Sequence, residues 1–161
     1  MPRWNTLAIK NFGFIEDNVL SVFQDYKNQF NFKNQEQTIP NDIKLNYEGD
    51  IDFYNDDVVL AYNLEAFIQR LYFFLITKKG TLPGNNEFGA SLEDYIGTGR
   101  PNLNLLLRTL EEDLKTFDEI EVINDIKASI VSNDQTEIIE INLDLKVRGF
   151  KYRTFLDLEL I

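Results

Sequence analysis

The sequence predicts an α+β fold in which helices pack on an antiparallel sheet that ends in a three-stranded meander. Apolar residues at helical spacing occur mainly in the first 117 residues, whereas strict apolar–polar alternation dominates residues 122–160. Because helices and strands are segregated along the chain, an alternating parallel α/β sheet is not expected. The 161 residues, 43% of them hydrophobic, are sufficient to form a core of their own.

Residues 1–42 are predicted to form an N-terminal extension with one amphipathic helix, ahead of an α+β domain at residues 43–161. The helix is predicted by apolar residues spaced three or four apart, and a polar stretch containing Pro40 follows it as a linker. These apolar residues are Ile15, Val19, Val22, Phe23, Tyr26 and Phe30. The alternation over residues 45–53 then predicts a half-buried strand, bent or broken at Gly49. A turn is expected directly after it, at Asn55-Asp56-Asp57.

A second helix is expected to start near Asn63, whose side chain suits the N-cap position. It should be the most buried helix, because its apolar residues cover one side: Leu64, Phe67, Ile68, Leu71, Phe74 and Leu75. After it, Lys78 and Lys79 suit the negative end of the helix dipole. Gly80 stands where a left-handed residue commonly ends a helix.

Two more helices are predicted after a loop at residues 81–90. Ser91-Leu92-Glu93-Asp94 resembles a capping box that opens a short helix. Pro101 suits the first turn of a longer helix. The apolar stripe of that longer helix is Leu103, Leu106, Leu107, Leu110, Leu114 and Phe117.

The C-terminal residues predict three antiparallel strands, near residues 122–130, 139–147 and 152–160. We expect the last strand to lie at or near a sheet edge. An edge strand offers unpaired N–H and C=O groups to a strand of a partner. From the pattern alone, an ordinary edge protected by charged residues is the favoured interpretation; these residues are Arg153, Asp157 and Glu159.

Composition excludes several classes of function. The net charge of −11 and the pI of about 4.4 argue against nucleic acid and anionic membranes as partners. That charge fits solubility, or docking onto basic partner surfaces. With no Cys and no His, disulfides and histidine-dependent catalytic sites are excluded, and no cofactor or metal is expected. The longest apolar run, near residues 71–76, is too short to span a bilayer.

The segment Asp57–Ile96 carries a recognisable pattern. An apolar helix ends in Leu-Ile-Thr and is followed by Lys78-Lys79-Gly80, then Pro83, Glu87-Phe88-Gly89 and Leu92. In this order and spacing the segment resembles the wedge protein family of contractile phage baseplates, a family sometimes labelled "acid lysozyme" and shared with the type VI secretion baseplate. The resemblance extends more weakly to the end of the meander and covers about 100 of the 161 residues.

The resemblance implies a non-enzymatic virion protein at the junction of tail baseplate and sheath, assembled in the host cytoplasm. Its implied partners are other baseplate wedge proteins and the sheath protein, with the tail tube as a further candidate. The motif residues named above would contact neighbouring proteins. The meander would template sheath assembly by strand exchange, through residues 138–148 and 150–160. Its sheath-facing residues would be Ile139, Ile141, Leu143, Tyr152, Thr154, Leu156 and Leu158.

One feature departs from the family pattern. Family members often carry Glu-Pro-Arg after the long helix, a motif that docks them to the helical core of the wedge. This chain has Phe117-Asp118-Glu119-Ile120-Glu121 at the corresponding place. That docking contact is therefore absent here or made by other residues.

Two other functions compete with the structural one. A peptidoglycan hydrolase would need two carboxylates at a defined separation, for which Glu87 with Glu93 or Asp94 are candidates. A soluble adaptor that binds one regulatory protein would suit the acidic surface and the N-terminal segment. Gene neighbourhood separates the adaptor from the wedge protein.

Overall fold

The structure, a computed structural model, describes residues 7–16, 19–24, 41–45, 50–95, 102–132 and 137–160. Its strands are β1 (Leu7–Glu16), β2 (Val19–Gln24), β3 (Asp42–Ile43), β4 (Phe53–Tyr54), β5 (Asp57–Val58), β6 (Leu60–Ala61), β7 (Ile120–Ser132), β8 (Glu137–Val147) and β9 (Arg153–Leu160). Its helices are α1 (Asn63–Ile76), a short 3-10 helix (Leu92–Tyr95) and α2 (Leu103–Leu114). The prediction of an α+β fold with a C-terminal antiparallel meander is confirmed.

The main sheet has the strand order β2-β1-β9-β8-β7, and every neighbouring pair is antiparallel. Alternation in β8 and β9 sends one set of side chains into the core and the other set to the opposite face. Leu143 of β8 lies opposite Leu156 of β9, and Phe12 of β1 lies opposite the same leucine on its other side. The core face is therefore continuous across three strands.

The last strand is central, which makes the prediction of an edge position wrong. β9 pairs with β8 on one side and with β1 on the other. The physical reason is the apolar content of the N-terminal strand, whose core residues are all at most 7% exposed: Leu7, Ile9, Phe12 and Phe14. Placing β1 beside β9 buries these side chains on the face that β9 already uses.

The predicted N-terminal helix is also wrong wherever the structure describes its residues. Ile15 lies in β1, and Val19, Val22 and Phe23 lie in β2. Their spacing of three and four fits a helix, but Val, Ile and Phe favour strands, and the two segments pair as a hairpin with Phe12 opposite Phe23. Tyr26, Phe30 and the linker up to Pro40 lie outside the described residues. The domain boundary at residue 42 stays a prediction.

The helices supply the other side of the core. All six apolar residues predicted for the buried side of α1 are at most 2% exposed. In α2, Leu106, Leu110 and Leu114 are buried, and Asn102 caps the helix by accepting from the amides of Asn104 (3.1 Å) and Leu105 (3.3 Å). Phe117 joins the two helices, because its ring lies 5.0 Å from that of Phe74 in α1.

The strand predicted at residues 45–53 is not continuous. The chain folds back so that Leu45 bridges Ile51 in antiparallel fashion, while β3 pairs with β6 and β4 with β5. Gly49, the predicted bend, lies outside the described residues. The turn predicted after this strand is confirmed: Asn55 and Asp56 have φ values of 51° and 63°, as a tight two-residue hairpin requires.

Candidate functional site

The motif loop, residues 77–92, begins where α1 ends. Thr77 is the C-cap, and its N–H and side-chain Oγ1 both donate to the carbonyl of Phe73, at 3.0 and 2.6 Å. Lys78, Lys79 and Gly80 therefore follow the helix, and the expectation that Gly80 ends it is wrong. Gly80 instead has a φ of +86° in a turn in which the Thr81 amide donates to Lys78 O at 3.1 Å.

Gly89 is the residue that lets this loop close. The chain returns beside the end of α1, where Ala90 N donates to Thr77 O at 2.9 Å and Lys79 N donates to Ala90 O at 3.2 Å. A Cβ at Gly89 would lie 2.6 Å from Thr77 O and 2.8 Å from Lys79 N. The φ of +117° also disfavours any other residue. The glycine of the Glu-Phe-Gly motif is thus required by backbone proximity.

The apolar members of the motif anchor the loop to the core. The Phe88 ring meets Phe74 edge-on at 5.4 Å, and Leu92 is 3% exposed. The amide of Ser91 donates to the buried carboxylate of Asp113 in α2 at 2.9 Å. These contacts give Phe88 and Leu92 a structural role within the chain.

The polar members of the motif face solvent. Lys79, Pro83 and Glu87 are exposed, while Lys78 lies 3.5 Å from the carboxylate of Asp94, with both side chains about half exposed. The exposed residues are the part of the motif that a neighbouring protein can contact without rearrangement. Their role in partner binding stays a prediction.

The structure places two of the three carboxylates named for a hydrolase, Glu87 and Asp94, at the surface. Glu87 is exposed, and Asp94 pairs with Lys78. Burial raises the pKa of a different carboxyl, Glu65 in α1, and Lys44 at 3.4 Å partly opposes that rise. Within the described residues, no group of three or more acidic side chains is placed to hold a metal ion.

The residues predicted to face the sheath lie on the core side of β8 and β9. Six of them are at most 8% exposed: Ile139, Ile141, Leu143, Thr154, Leu156 and Leu158. Tyr152 is half-buried and stacks on Phe14 with 5.1 Å between ring centroids. Because both strands also have a neighbour on each side, these residues are available to a partner only if the sheet opens.

The opposite face of the sheet carries charged side chains that form ion pairs across the strands. Lys10 lies 3.3 Å from Glu140 and 3.5 Å from Glu159, and Arg153 lies 3.0 Å from Asp144. The hydrogen bond to Glu140 and the nearby carboxylates raise the pKa of Lys10. These exposed ion pairs keep the face polar and contribute little to the free energy of folding.

Within the described residues, β7 has a neighbour on one side only. It is 13 residues long, with register shifts between Ile120 and Val122 and between Ile123 and Asp125. From Ile126 to Ser132 its pairing with β8 is regular. This placement was not predicted, because chain order does not fix strand order.

A second feature that sequence analysis missed is a cleft of about 570 Å³ beside the start of β7. Its lining residues include Arg70, Glu119 and Arg148. Arg70 Nε donates to both carboxylate oxygens of Glu119, at 3.0 and 2.8 Å, and its guanidinium lies 3.7 Å from Asp42. Arg148 donates from Nε to the Asp118 carbonyl at 3.1 Å. The hydrogen bond with Glu119 raises the pKa of Arg70.

The stretch that replaces Glu-Pro-Arg therefore contributes to an arginine–carboxylate pair inside the chain. Phe117 is buried against α1, and Glu119 binds the α1 arginine. Arg70 could have been suspected from the sequence, because it lies beside the apolar stripe of a helix predicted to be buried, and a charge that is partly buried requires a partner. The sequence does not indicate that the partner is Glu119, which lies 49 residues away.

A family model described as contractile injection system sheath initiator matches residues 41–147. The match covers about two thirds of the chain, from Asn41 before β3 to the end of β8. Neither the curated proteins nor the solved structures contain a match. Among the helices of the described residues, none has the length and apolar character needed to cross a membrane.

Proposed function

The chain belongs to the contractile injection system sheath initiator family, and from this premise we propose that β7 is the strand on which the first sheath subunits assemble. Membership confirms the resemblance to a contractile tail baseplate family and gives the protein a structural, sheath-initiating role in the tail. The proposal adds a mechanism: a sheath subunit donates a strand that pairs with the outer edge of β7.

The main support for this proposal is that the core-facing side chains of β7 remain partly exposed. Ile123, Ile126 and Ile130 point to the same face as the core residues of β8, yet all three are only half-buried. Their partners in β8 are at most 8% exposed. An added strand would cover the β7 residues in the same way that β7 covers β8, and it would bind the main-chain groups along the edge.

Two features favour β7 over the other outer strand, β2. β7 has 13 residues against six in β2, so it offers more main-chain hydrogen bonds. It also lies within residues 41–147, the part of the chain that matches the family model, whereas β2 precedes that part. β8 and β9 are not selected, since each already has two neighbours.

The remaining partner contacts are assigned to the helical side of the chain. We place other baseplate proteins at the exposed motif residues Lys79, Pro83 and Glu87, which the rigid closure at Gly89 holds in a defined position. The protein acts without chemistry of its own, as a template rather than as a hydrolase. It resides in the tail baseplate.

Two neighbouring proline substitutions test the strand-addition mechanism. Consecutive residues of a strand direct their N–H groups to opposite sides, so Ala128→Pro and Ser129→Pro remove one group facing β8 and one group facing the free edge. The variant that keeps the wild-type melting temperature identifies the edge-facing position. In that variant we expect normal incorporation into tube–baseplate particles but no sheath, as seen by electron microscopy.

The other proline variant serves as the internal control, since it should lower the melting temperature by breaking the ladder with β8. Full-length sheaths on particles that contain the edge-facing proline variant would show that sheath subunits do not pair with β7. The proposal would then be wrong even though family membership stands.

A further inference from the structure

A short hairpin ahead of α1 exposes an unusual number of apolar side chains. We call residues 50–61 the acidic hairpin; it contains β4, β5 and β6. Phe53 and Tyr54 at its tip are 61% and 73% exposed. Exposed large apolar residues continue along the hairpin and the strand beside it: Ile43, Ile51, Val58 and Leu60. A cluster of this kind on a soluble protein marks a contact surface.

Residues 43–45, which pair with the hairpin, are held on α1. The buried side chain of Gln69 accepts from the Leu45 amide at 2.8 Å and donates to the Ile43 carbonyl at 2.6 Å. Lys44, between them, lies 3.4 Å from the buried Glu65. The Lys44 amide also donates to Val59 O at 2.9 Å within the hairpin. The hairpin is therefore connected to α1 through residues 43–45, which limits the conformational entropy that it loses on binding.

The charged side chains within residues 50–61 all have the same sign, and the neighbouring Lys44 faces the buried Glu65. Residues 50–61 contain Asp50, Asp52, Asp56 and Asp57 and no basic residue. This pattern disfavours a phosphate-bearing or anionic lipid partner. It complements a protein surface in which an apolar pocket is surrounded by Lys and Arg side chains.

We propose that the acidic hairpin docks into such a basic-rimmed apolar pocket on another component of the baseplate, with Phe53 and Tyr54 as the anchors. The inference rests on the proposed function only in placing the partner in the same particle. It concerns an element separate from β7, so one copy of the protein can bind a baseplate neighbour and a sheath subunit at the same time. Aromatic anchors commonly carry most of the affinity of such contacts.

Incorporation into particles tests the anchors. The double variant Phe53→Ser/Tyr54→Ser replaces wild type in the parent system, and immunoblots of purified tube–baseplate particles measure how much of the protein is present. We expect incorporation to fall at least about tenfold, which corresponds to the loss of one strong anchor. Leu105→Ser is the matched control, because Leu105 is 51% exposed on α2, outside the hairpin, and should incorporate normally.

A second variant tests the charge. Asp56→Asn/Asp57→Asn removes two charges and keeps the turn. Asn tolerates the positive φ at position 56. At position 57, the side-chain carbonyl of Asn can still accept from the Val58 amide, as the Asp57 carboxylate does at 2.8 Å. We expect a smaller loss of incorporation than in the anchor variant, with weaker dependence on salt during reconstitution. If the variant and wild type depend on salt equally, the partner pocket is not surrounded by basic residues.

A photoreactive benzoylphenylalanine in place of Tyr54 identifies what binds there in assembled particles. A cross-linked peptide from another baseplate component, with apolar residues among Lys and Arg, supports the proposal. Cross-links to a second copy of this chain, or to its own residues, overturn it, and so does normal incorporation of the anchor variant. A failure of sheath assembly on β7 with normal incorporation would affect only the proposed function, so the two failures are distinguishable.

Discussion

At the scale of single residues, two glycines of the motif loop differ in what they do for the fold. Both have positive φ, +117° at Gly89 and +80° at Gly84. A Cβ at Gly84 would meet nothing within 4 Å, whereas a Cβ at Gly89 would lie 2.6 Å from a backbone oxygen. Backbone atoms held by two hydrogen bonds cannot move aside cheaply, so the cost at Gly89 includes a steric part that Gly84 lacks.

Replacing each glycine by alanine separates these two costs. Gly84→Ala should destabilise the protein by about 1 kcal/mol, the cost of a left-handed non-glycine residue. Gly89→Ala should cost about 3 kcal/mol or more, because strain at a special backbone position adds to the same conformational cost. Urea unfolding followed by circular dichroism measures both. Equal losses would mean that the loop moves away from α1 without penalty.

At the scale of secondary structure elements, the Arg70–Glu119 pair connects α1 to the residues before β7. Arg70 donates to the carboxylate of Glu119 from both Nε and Nη2, and the side chains are 23% and 29% exposed. Such charge-assisted, bidentate bonds are stronger than ordinary surface ion pairs. The pair also orders the chain at the point where the proposed sheath-binding strand begins.

Removing Arg70 should therefore destabilise the fold measurably. We expect Arg70→Met to lower the free energy of unfolding by about 2 kcal/mol, as for hydrogen bonds to charged groups. The matched control is Arg108→Met, whose partner Glu112 lies 3.3 Å away on the same helix with both side chains mostly exposed. That change should cost well under about 1 kcal/mol. A double-mutant cycle with Glu119→Gln measures the coupling, and coupling near zero would contradict the argument.

Some secondary structure elements could be predicted from the sequence and others could not. α1 and β8 were predictable, because their apolar residues lie at one period over 11 residues or more and all face one core. The segment holding Ile15, Val19 and Phe23 was not, because its spacing fits a helix and a strand pair equally well. There the antiparallel pairing of β1 with β9, about 140 residues away in sequence, decides the outcome.

The candidate site was predictable only where local chemistry sets it. The motif residues Phe88, Gly89 and Leu92 were identified from order and spacing, and the structure gives each a contact that explains its residue type. The outer position of β7 was not predicted, because strand order depends on which apolar faces pack together. The residues assigned to sheath contact in β8 and β9 are core residues for the same reason that made them conspicuous in the sequence: they are regularly apolar.

At the scale of the whole molecule, acidic charge is spread over surfaces with different tasks. The sheet's polar face pairs its carboxylates with Lys10 and Arg153, whereas the acidic hairpin contains no basic residue between positions 50 and 61. On the proposed docking role, the acidic charge of the hairpin would select a basic partner surface, whereas the polar face of the sheet carries charges of both signs. Glu65 differs from both groups, because it is a buried carboxyl at the base of the hairpin, facing Lys44 with Asp52 nearby.

The pH dependence of stability should report the burial of Glu65. Burial raises its pKa above the ordinary 4.5, the charge of Lys44 partly opposes this, and Asp52 adds to the rise. The folded state then binds the proton more tightly than the unfolded state does. The stability that Glu65 contributes is thus fully present below its unfolded pKa and is lost as the pH rises through the raised pKa of the folded state. Glu65→Gln, which cannot titrate, should gain stability relative to wild type over that interval. Urea unfolding of both proteins from pH 4 to 7 measures the difference, and a difference that stays constant with pH would show that Lys44 fully compensates the burial.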